Sequence, residues 1–125
     1  MTVSQVLDYV KHAYPHARPN AELCRWLSEL DGKIASEIMM MSPEDCSLFQ
    51  YKPSNRTTEL LVKFPYDDIY RLFVIAMIEQ ANTEWNKYSN SVTSFNNRLQ
   101  EFEFWFCRQY EPVQGYTEYA GEEDD

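Results

Sequence analysis

The sequence predicts an all-α protein, a small helical bundle of about four helices with a loop or short β-ribbon between the second and third helices. Three observations favour this fold class. Apolar residues recur at helical spacings of three and four through most of the chain. Prolines and capping residues stand at the ends of these runs. The length of 125 residues, 44% of them hydrophobic, suits one domain with one core.

The first helix is predicted to begin after Thr2, because Thr2 and Gln5 have the spacing of a capping box. Pro15 should end this helix by Tyr14, since a proline disfavours helical backbone in the residue before it. One face of the helix is apolar and consists of Val3, Val6, Leu7 and Val10.

The second helix is predicted to run from Asn20, a good N-cap residue, to about Met40. Gly32 lies inside this run and costs about 1 kcal/mol relative to alanine. The helix either bends at this glycine or continues through it, and we expect one helix with a weak point. Its apolar face consists of Leu23, Trp26, Leu27, Leu30, Ile34 and Ile38.

Residues 42–65 lose the helical period. Residues 42–45 predict a single helical turn, because a proline stands at its start. The stretches 48–51 and 59–64 resemble extended chain and are separated by turn-prone residues. We interpret the segment as a loop, with a small two-stranded ribbon as the alternative.

The third helix is expected to begin at Pro65, because proline fits the first turn and Asp67 and Asp68 oppose the positive end of the helix dipole. Residues 69–78 are apolar nearly all round, which is typical of a helix that is central or covered by another subunit. One face is expected to continue as far as Tyr88, through Tyr66, Tyr70, Phe73, Met77, Ala81 and Trp85.

The fourth helix is expected after a break at residues 89–91 and to end at Pro112. The alternating spacings of three and four in its apolar residues predict a seam against the third helix as an antiparallel partner. We therefore expect a helical domain over residues 1–110 and an acidic, disordered tail over residues 111–125. The seam consists of Val92, Phe95, Leu99, Phe102 and Phe106.

The formal net charge of −9 is unevenly distributed. Six of the 20 acidic residues lie in residues 111–125, which contain no Lys or Arg, so the remaining 14 acids and 11 bases give residues 1–110 a net charge of −3. No sequence-specific nucleic-acid binding is expected, because that requires clustered Lys and Arg. No membrane association is expected either, because the longest apolar run, residues 72–78, is far shorter than the roughly 20 residues of a spanning helix.

The sequence predicts no catalytic, cofactor-binding or metal site. His12 and His16 have the i, i+4 spacing of a helical metal pair, but Pro15 interrupts the helix between them. Two acidic pairs do not converge on one substrate, because helical residues one and two apart diverge by roughly 100° and 200°. These pairs are Asp67 with Asp68 and Glu101 with Glu103.

Three apolar residues lie outside the predicted contacts between the helices, namely Leu72, Ile75 and Phe104. Excess apolar surface on a small helical domain is typical of a partner site, so these residues are the candidate subunit interface. The alternative is that the first and second helices cover them. The aromatic stretch 102–106 has acidic neighbours, which favours packing or a subunit contact over base stacking.

Segments spread over residues 1–110 carry a resemblance to a known family. They are residues 3–7 (VSQVL), 26–34 (WLSELDGKI), 58–62 (TELLV), 65–70 (PYDDIY), 86–91 (NKYSNS) and 95–96 (FN). In their order and spacing they resemble the head-to-tail connector (adaptor) proteins of tailed bacteriophages and prophages of Gram-positive hosts.

The resemblance implies a structural virion or prophage protein of the head–tail neck, which assembles as a ring beneath the portal and forms part of the DNA passage channel. The implied partners are other copies of the chain, the portal protein, and a neck (stopper) or tail-completion protein. The implied location is the bacterial host cytoplasm during assembly and then the virion neck. The family brings no enzymatic activity and no cofactor.

A second hypothesis is a small acidic regulator that binds a host protein, including as a nucleic-acid mimic. The acidic residues near the C-terminus suit that role, although such runs more often keep a chain in solution. A third hypothesis, an enzyme, has no support in the sequence.

Overall fold

A capping box begins the first helix, α1 (Val3–Ala13), as the sequence predicts. The Thr2 hydroxyl oxygen accepts a hydrogen bond from the Gln5 N–H at 3.2 Å, and the Gln5 side chain accepts one from the Thr2 N–H at 2.8 Å. These bonds satisfy backbone donors that the start of a helix leaves unpaired. The predicted apolar face of α1 is buried in the core. This computed structural model describes residues 1–14, 16–55 and 57–114, with side chains through residue 109.

The second helix, α2 (Asn20–Glu37), runs unbroken through Gly32 as expected. Its start differs by one residue from the prediction, because Pro19 holds the N-cap position and Asn20 is the first helical residue. Its end falls three residues before Met40, which has a φ of +57°. A residue in the left-handed region does not continue a right-handed helix.

A short third helix, α3 (Pro43–Cys46), is the single turn predicted between the second and third long helices. Ser42 caps it, since its hydroxyl oxygen accepts a hydrogen bond from the Asp45 N–H at 3.3 Å. The structure therefore contains loops around one helical turn in this part of the chain, and no β-ribbon is present among the described residues.

The extended segment after α3 pairs with the N-terminus instead. Leu60 N–H donates to the Met1 carbonyl oxygen at 3.0 Å, and Val3 N–H donates to the Thr58 carbonyl oxygen at 3.0 Å. These bonds form an isolated antiparallel bridge. The bridge places residues 58–60 beside the start of α1.

The third long helix, α4 (Ile69–Ala81), begins four residues later than predicted. The two aspartates expected to complement its dipole make ion pairs with distant parts of the chain. An Asp67 oxygen lies 3.4 Å from the Met1 ammonium, and an Asp68 oxygen lies 3.0 Å from Arg98 Nε. The predicted start is wrong because these tertiary contacts hold the segment in turns ahead of the helix.

The last helix, α5 (Trp85–Gln114), follows α4 after three residues. The chain breaks at residues 82–84, where Thr83 has a φ of +57°, so the predicted break at residues 89–91 is wrong. The expected apolar face through Tyr88 is therefore divided between two helices. Pro112 does not end α5, which continues two residues beyond it.

The stretch predicted to break α5 is accommodated by hydrogen bonds within the helix. The Thr93 hydroxyl donates to the Ser89 carbonyl oxygen at 2.8 Å, and the Ser94 hydroxyl donates to the Asn90 carbonyl oxygen at 3.3 Å. Short polar side chains that bond one turn back in this way remain compatible with a helix.

α4 and α5 pack antiparallel, as the apolar spacings predict. The rings of Phe73 and Phe95 lie 5.1 Å apart, and Tyr66, just before α4, lies 5.8 Å from Phe102. The two contacts run in opposite order along the two segments, which defines an antiparallel pair. Phe95 and Phe102 are buried in the core, where the seam was expected.

A polar cluster lies at the centre of the fold, around the fully buried Asp31 of α2. Its carboxylate accepts hydrogen bonds from the Tyr51 hydroxyl at 2.5 Å, the Tyr70 hydroxyl at 2.6 Å and the Leu61 N–H at 3.0 Å. The Tyr70 hydroxyl oxygen also accepts a bond from the Val62 N–H at 2.6 Å. Burial raises the pKa of the Asp31 carboxyl, and the three hydrogen bonds oppose that rise. The cluster ties the loop after α3, together with α4, to α2.

Candidate subunit-contact surface

The C-terminal part of α5 extends past the helix against which it packs. The segment leading into α4 meets α5 at Phe102, so residues 103–114 lie beyond the start of α4. At 1.5 Å per residue they lengthen α5 by roughly 18 Å. All side chains at residues 103–109 are exposed except that of Phe106, which is half-buried. We refer to residues 103–114 as the α5 extension.

Arg98 fixes the base of the α5 extension. Its guanidinium donates to the two Asp68 carboxylate oxygens at 3.0 and 3.2 Å, to the Glu101 carboxylate at 2.7 Å and to the Pro65 carbonyl oxygen at 2.9 Å. The same group lies 4.8 Å from the centre of the Tyr66 ring, within cation–π range. These contacts join the loop before α4 to α5 and hold the extension in a defined orientation.

Aromatic rings line one side of the extension. The Trp105 ring lies 5.5 Å from that of Tyr66 and 6.0 Å from that of Phe102. Beside these rings is an open groove of about 330 Å³. We refer to it as the aromatic groove. Its lining residues are Met39, Leu61, Val62, Lys63, Phe64, Phe102, Trp105, Phe106 and Gln109.

The opposite side of the extension carries Phe104. On an α-helix, Phe104 lies about 200° from Phe102, which lines the aromatic groove. Its side chain is 56% exposed. Glu101 lies about one turn before it and Arg108 one turn after it, on the same side. We refer to this side as the Phe104 face, so the extension has apolar groups on two opposite sides.

The three residues predicted for the subunit interface do not lie together. Leu72 and Ile75 are half-buried on α4 and pack against the hydrophobic core. Both α1 and α2 contact α4. Phe104 lies apart from them on the α5 extension. An exposed apolar surface is therefore present at Phe104 and much less so at the other two residues.

The two histidines considered as a metal pair make separate contacts. His12 Nδ1 lies 2.8 Å from the Asp8 carbonyl oxygen within α1, and His16 Nδ1 accepts a hydrogen bond from the Arg18 N–H at 3.0 Å. Burial and the nearby Arg18 charge lower the pKa of His16. Within the described ranges no three His, Cys, Asp or Glu side chains are placed to hold a metal ion. No helix in the same part of the chain combines the length and apolar character needed to cross a bilayer.

Sequence reasoning missed two buried carboxyl groups. Asp31 stands one turn after the core residue Leu27, on the apolar face of α2. A charged residue on an apolar helix face was the sequence signal that could have indicated this buried carboxyl. Glu79 of α4 is only 3% exposed, and the Tyr14 hydroxyl, which donates to a Glu84 oxygen at 3.1 Å, lies beside it. Burial and the two carboxylates raise the pKa of the Tyr14 hydroxyl.

The α5 extension is the candidate subunit-contact surface. It combines a fixed base, an aromatic groove on one side and an exposed phenylalanine on the other. Aromatic side chains of this kind are enriched in protein–protein contacts. Comparisons with protein-family models, with curated proteins and with solved structures found no match to this chain.

Proposed function

We propose that the chain is a structural protein of the head–tail neck of a tailed bacteriophage or prophage, which assembles as a ring beneath the portal and forms part of the DNA passage channel. The proposal starts from the resemblance of segments across residues 1–110 to head-to-tail connector proteins. The structural observation that supports it is the α5 extension, whose exposed aromatic side chains are typical of a surface covered by another protein.

The charge of the chain suits a channel for DNA. The net charge is −9 over the whole chain and −3 over residues 1–110. An acidic surface repels the phosphate backbone, so DNA passes along it without being held. A ring of such subunits would guide DNA by exclusion rather than by binding.

Sedimentation velocity and electron microscopy of the full chain test the proposal, with and without the portal protein of the same genome. We expect monomers or small oligomers for the chain alone, because the exposed apolar area of the extension is small for an obligate assembly. With portal protein present we expect closed rings in a larger complex. A chain that stays monomeric in the presence of portal protein would contradict the proposal.

The same experiment distinguishes the connector from the acidic regulator. Host lysate proteins are added in a parallel sample, and complexes are compared over a salt series. A tight one-to-one complex with a host protein, weakened by salt and formed without any ring, would favour the acidic regulator over the connector. A nucleic-acid mimic binds through its charges, so salt should weaken its complex.

A further inference from the structure

We propose that the buried cluster around Asp31 is a positioning device, which sets residues 60–64 against the α5 extension and so shapes one wall of the aromatic groove. The inference goes beyond the proposed function, because it concerns how the core fixes the form of a surface and needs no partner. It begins from two backbone N–H groups whose acceptors are side chains of the core. We refer to residues 60–64 as the wall segment.

The wall segment lacks the repeating hydrogen bonds that hold a helix or a strand, since residues 60–63 form neither. Its Leu61 N–H donates to an Asp31 carboxylate oxygen at 3.0 Å, and its Val62 N–H donates to the Tyr70 hydroxyl oxygen at 2.6 Å. A buried backbone donor without an acceptor is unfavourable, so the positions of these two side chains decide where the backbone of the segment can lie.

The two acceptors are themselves fixed in the core. Asp31 in α2 and Tyr70 in α4 are both fully buried. The Tyr70 hydroxyl donates to Asp31 at 2.6 Å while its oxygen accepts from Val62, so the ring cannot turn without losing both bonds. The cluster therefore passes the relative position of two helices to the backbone of the wall segment.

The wall segment reaches from the core to the surface. Leu60 and Val62 are 0% and 1% exposed, whereas Phe64 is 77% exposed. Residues 61–64 line the aromatic groove together with Trp105 of α5. A shift of the backbone at the two bonded amides would therefore move the wall of the groove.

Hydrophobic burial is the competing explanation, because Leu60 and Val62 also anchor the segment in the core. Burial of apolar surface has no direction, so such contacts tolerate small shifts of the backbone. Hydrogen bonds weaken steeply as distance and angle depart from their optimum. We infer that burial keeps the segment in the core and that the two bonds set its position there.

Amide hydrogen exchange of the full chain, followed by NMR, compares two matched variants, Tyr70→Phe and Tyr51→Phe. Each removes a hydroxyl that donates to Asp31, but only Tyr70 also accepts a bond from the wall segment. Exchange rates at residues 61 and 62 are divided by the rates of buried amides in α2 and α4. This ratio removes the change in global stability, which affects all these amides alike.

We expect Tyr70→Phe to raise the ratio at residue 62 about tenfold, because that amide loses its acceptor. The ratio at residue 61 should rise less, since its Asp31 acceptor remains. Tyr51→Phe should leave both ratios unchanged. The indole N–H resonance of Trp105 should move in Tyr70→Phe and keep its position in Tyr51→Phe, because only the first change releases the wall.

Two further chains protect the test against a variant that does not fold. The α-hydroxy analogue of valine at position 62 replaces the N–H with oxygen, leaves Tyr70 in place and should move the Trp105 resonance as Tyr70→Phe does. Val62→Ala keeps both acceptors and removes buried methyl groups. It should lower the free energy of unfolding and leave the ratio at residue 61 unchanged. Circular dichroism checks that each chain folds.

Three results would overturn the proposal. The first is an unchanged ratio at residue 62 in Tyr70→Phe. The second is a raised ratio with an unmoved Trp105 resonance, because the wall would then keep its position without the bond. The third is a Val62→Ala chain whose ratio at residue 61 rises more than in Tyr70→Phe, since burial rather than the cluster would then position the segment.

Discussion

At the scale of single residues, Tyr70 joins two buried groups. Its hydroxyl donates to Asp31 and accepts from the Val62 N–H, whereas the Tyr51 hydroxyl donates to an Asp31 oxygen that Leu61 N–H also serves. We expect Tyr70→Phe to lower the free energy of unfolding by about 2–3 kcal/mol and Tyr51→Phe by about 1 kcal/mol, because a buried polar group left without a partner is expensive. Urea denaturation measures both losses. Equal losses in the two variants would show that the hydrogen bond from the Val62 N–H contributes nothing to the free energy of unfolding.

Asp31 also makes stability depend on pH. Its carboxyl pKa is raised above the ordinary value of 3.8, chiefly by burial. At pH values between 3.8 and the raised pKa of Asp31, the folded chain binds more protons than the unfolded chain. The free energy of unfolding therefore falls as pH rises through this range. Above the window the full penalty of the ionised, buried carboxylate remains.

The comparison that isolates this effect is wild type against Asp31→Asn, unfolded with urea in steps from about pH 4 to pH 7. Asparagine does not titrate, so the variant should lack the decrease with rising pH that Asp31 produces. The other carboxyls are present in both chains and cancel in the difference. Parallel curves for the two chains would contradict a raised pKa at Asp31.

At the scale of the element, Gly32 is the expected weak point of α2. The helix runs through it, and a Cβ placed there would meet no atom within 4 Å. Gly32→Ala should therefore raise the free energy of unfolding by about 0.5–1 kcal/mol, because alanine restricts the unfolded chain and favours the helix. Ser36→Gly, at an exposed position of the same helix, is the opposite change and should lower it. A loss of stability in Gly32→Ala would show that α2 needs the freedom of glycine.

At the scale of the whole molecule, the distribution of charge opposes assembly. Removing residues 111–125 reduces the net charge from −9 to −3 without removing any lining residue of the aromatic groove. A chain that ends at Tyr110 should melt within a few degrees of the full chain. It should also self-associate at lower concentration in low salt, because copies repel each other less, and the difference should shrink in high salt.

Calorimetry and sedimentation over a salt series check both parts of this expectation. A shortened chain that fails to fold would show that the removed segment stabilises the body. The predicted acidic, disordered tail falls largely on residues 115–125, outside the described residues, so this measurement is also the direct test of that prediction.

Local patterns determined the fold class and the faces of the helices. The capping box of Thr2, the buried face of α1 and the continuity of α2 through Gly32 all follow from interactions between residues three or four apart. The antiparallel seam at Phe95 and Phe102 was predictable for the same reason. Such interactions act within one helix turn, so the order of residues alone records them.

The tertiary structure alone decided the start of α4, the position of the chain break and the aromatic groove. Asp68 pairs with Arg98 across 30 positions of sequence, and the groove brings Met39 and Phe64 beside Trp105. The break falls at Thr83, a β-branched residue in the left-handed region that local preferences disfavour. Contacts between distant residues determine these features, and no local spacing records them. Phe104 was identifiable from the sequence as surplus apolar surface, but the groove opposite it exists only where three separate segments meet.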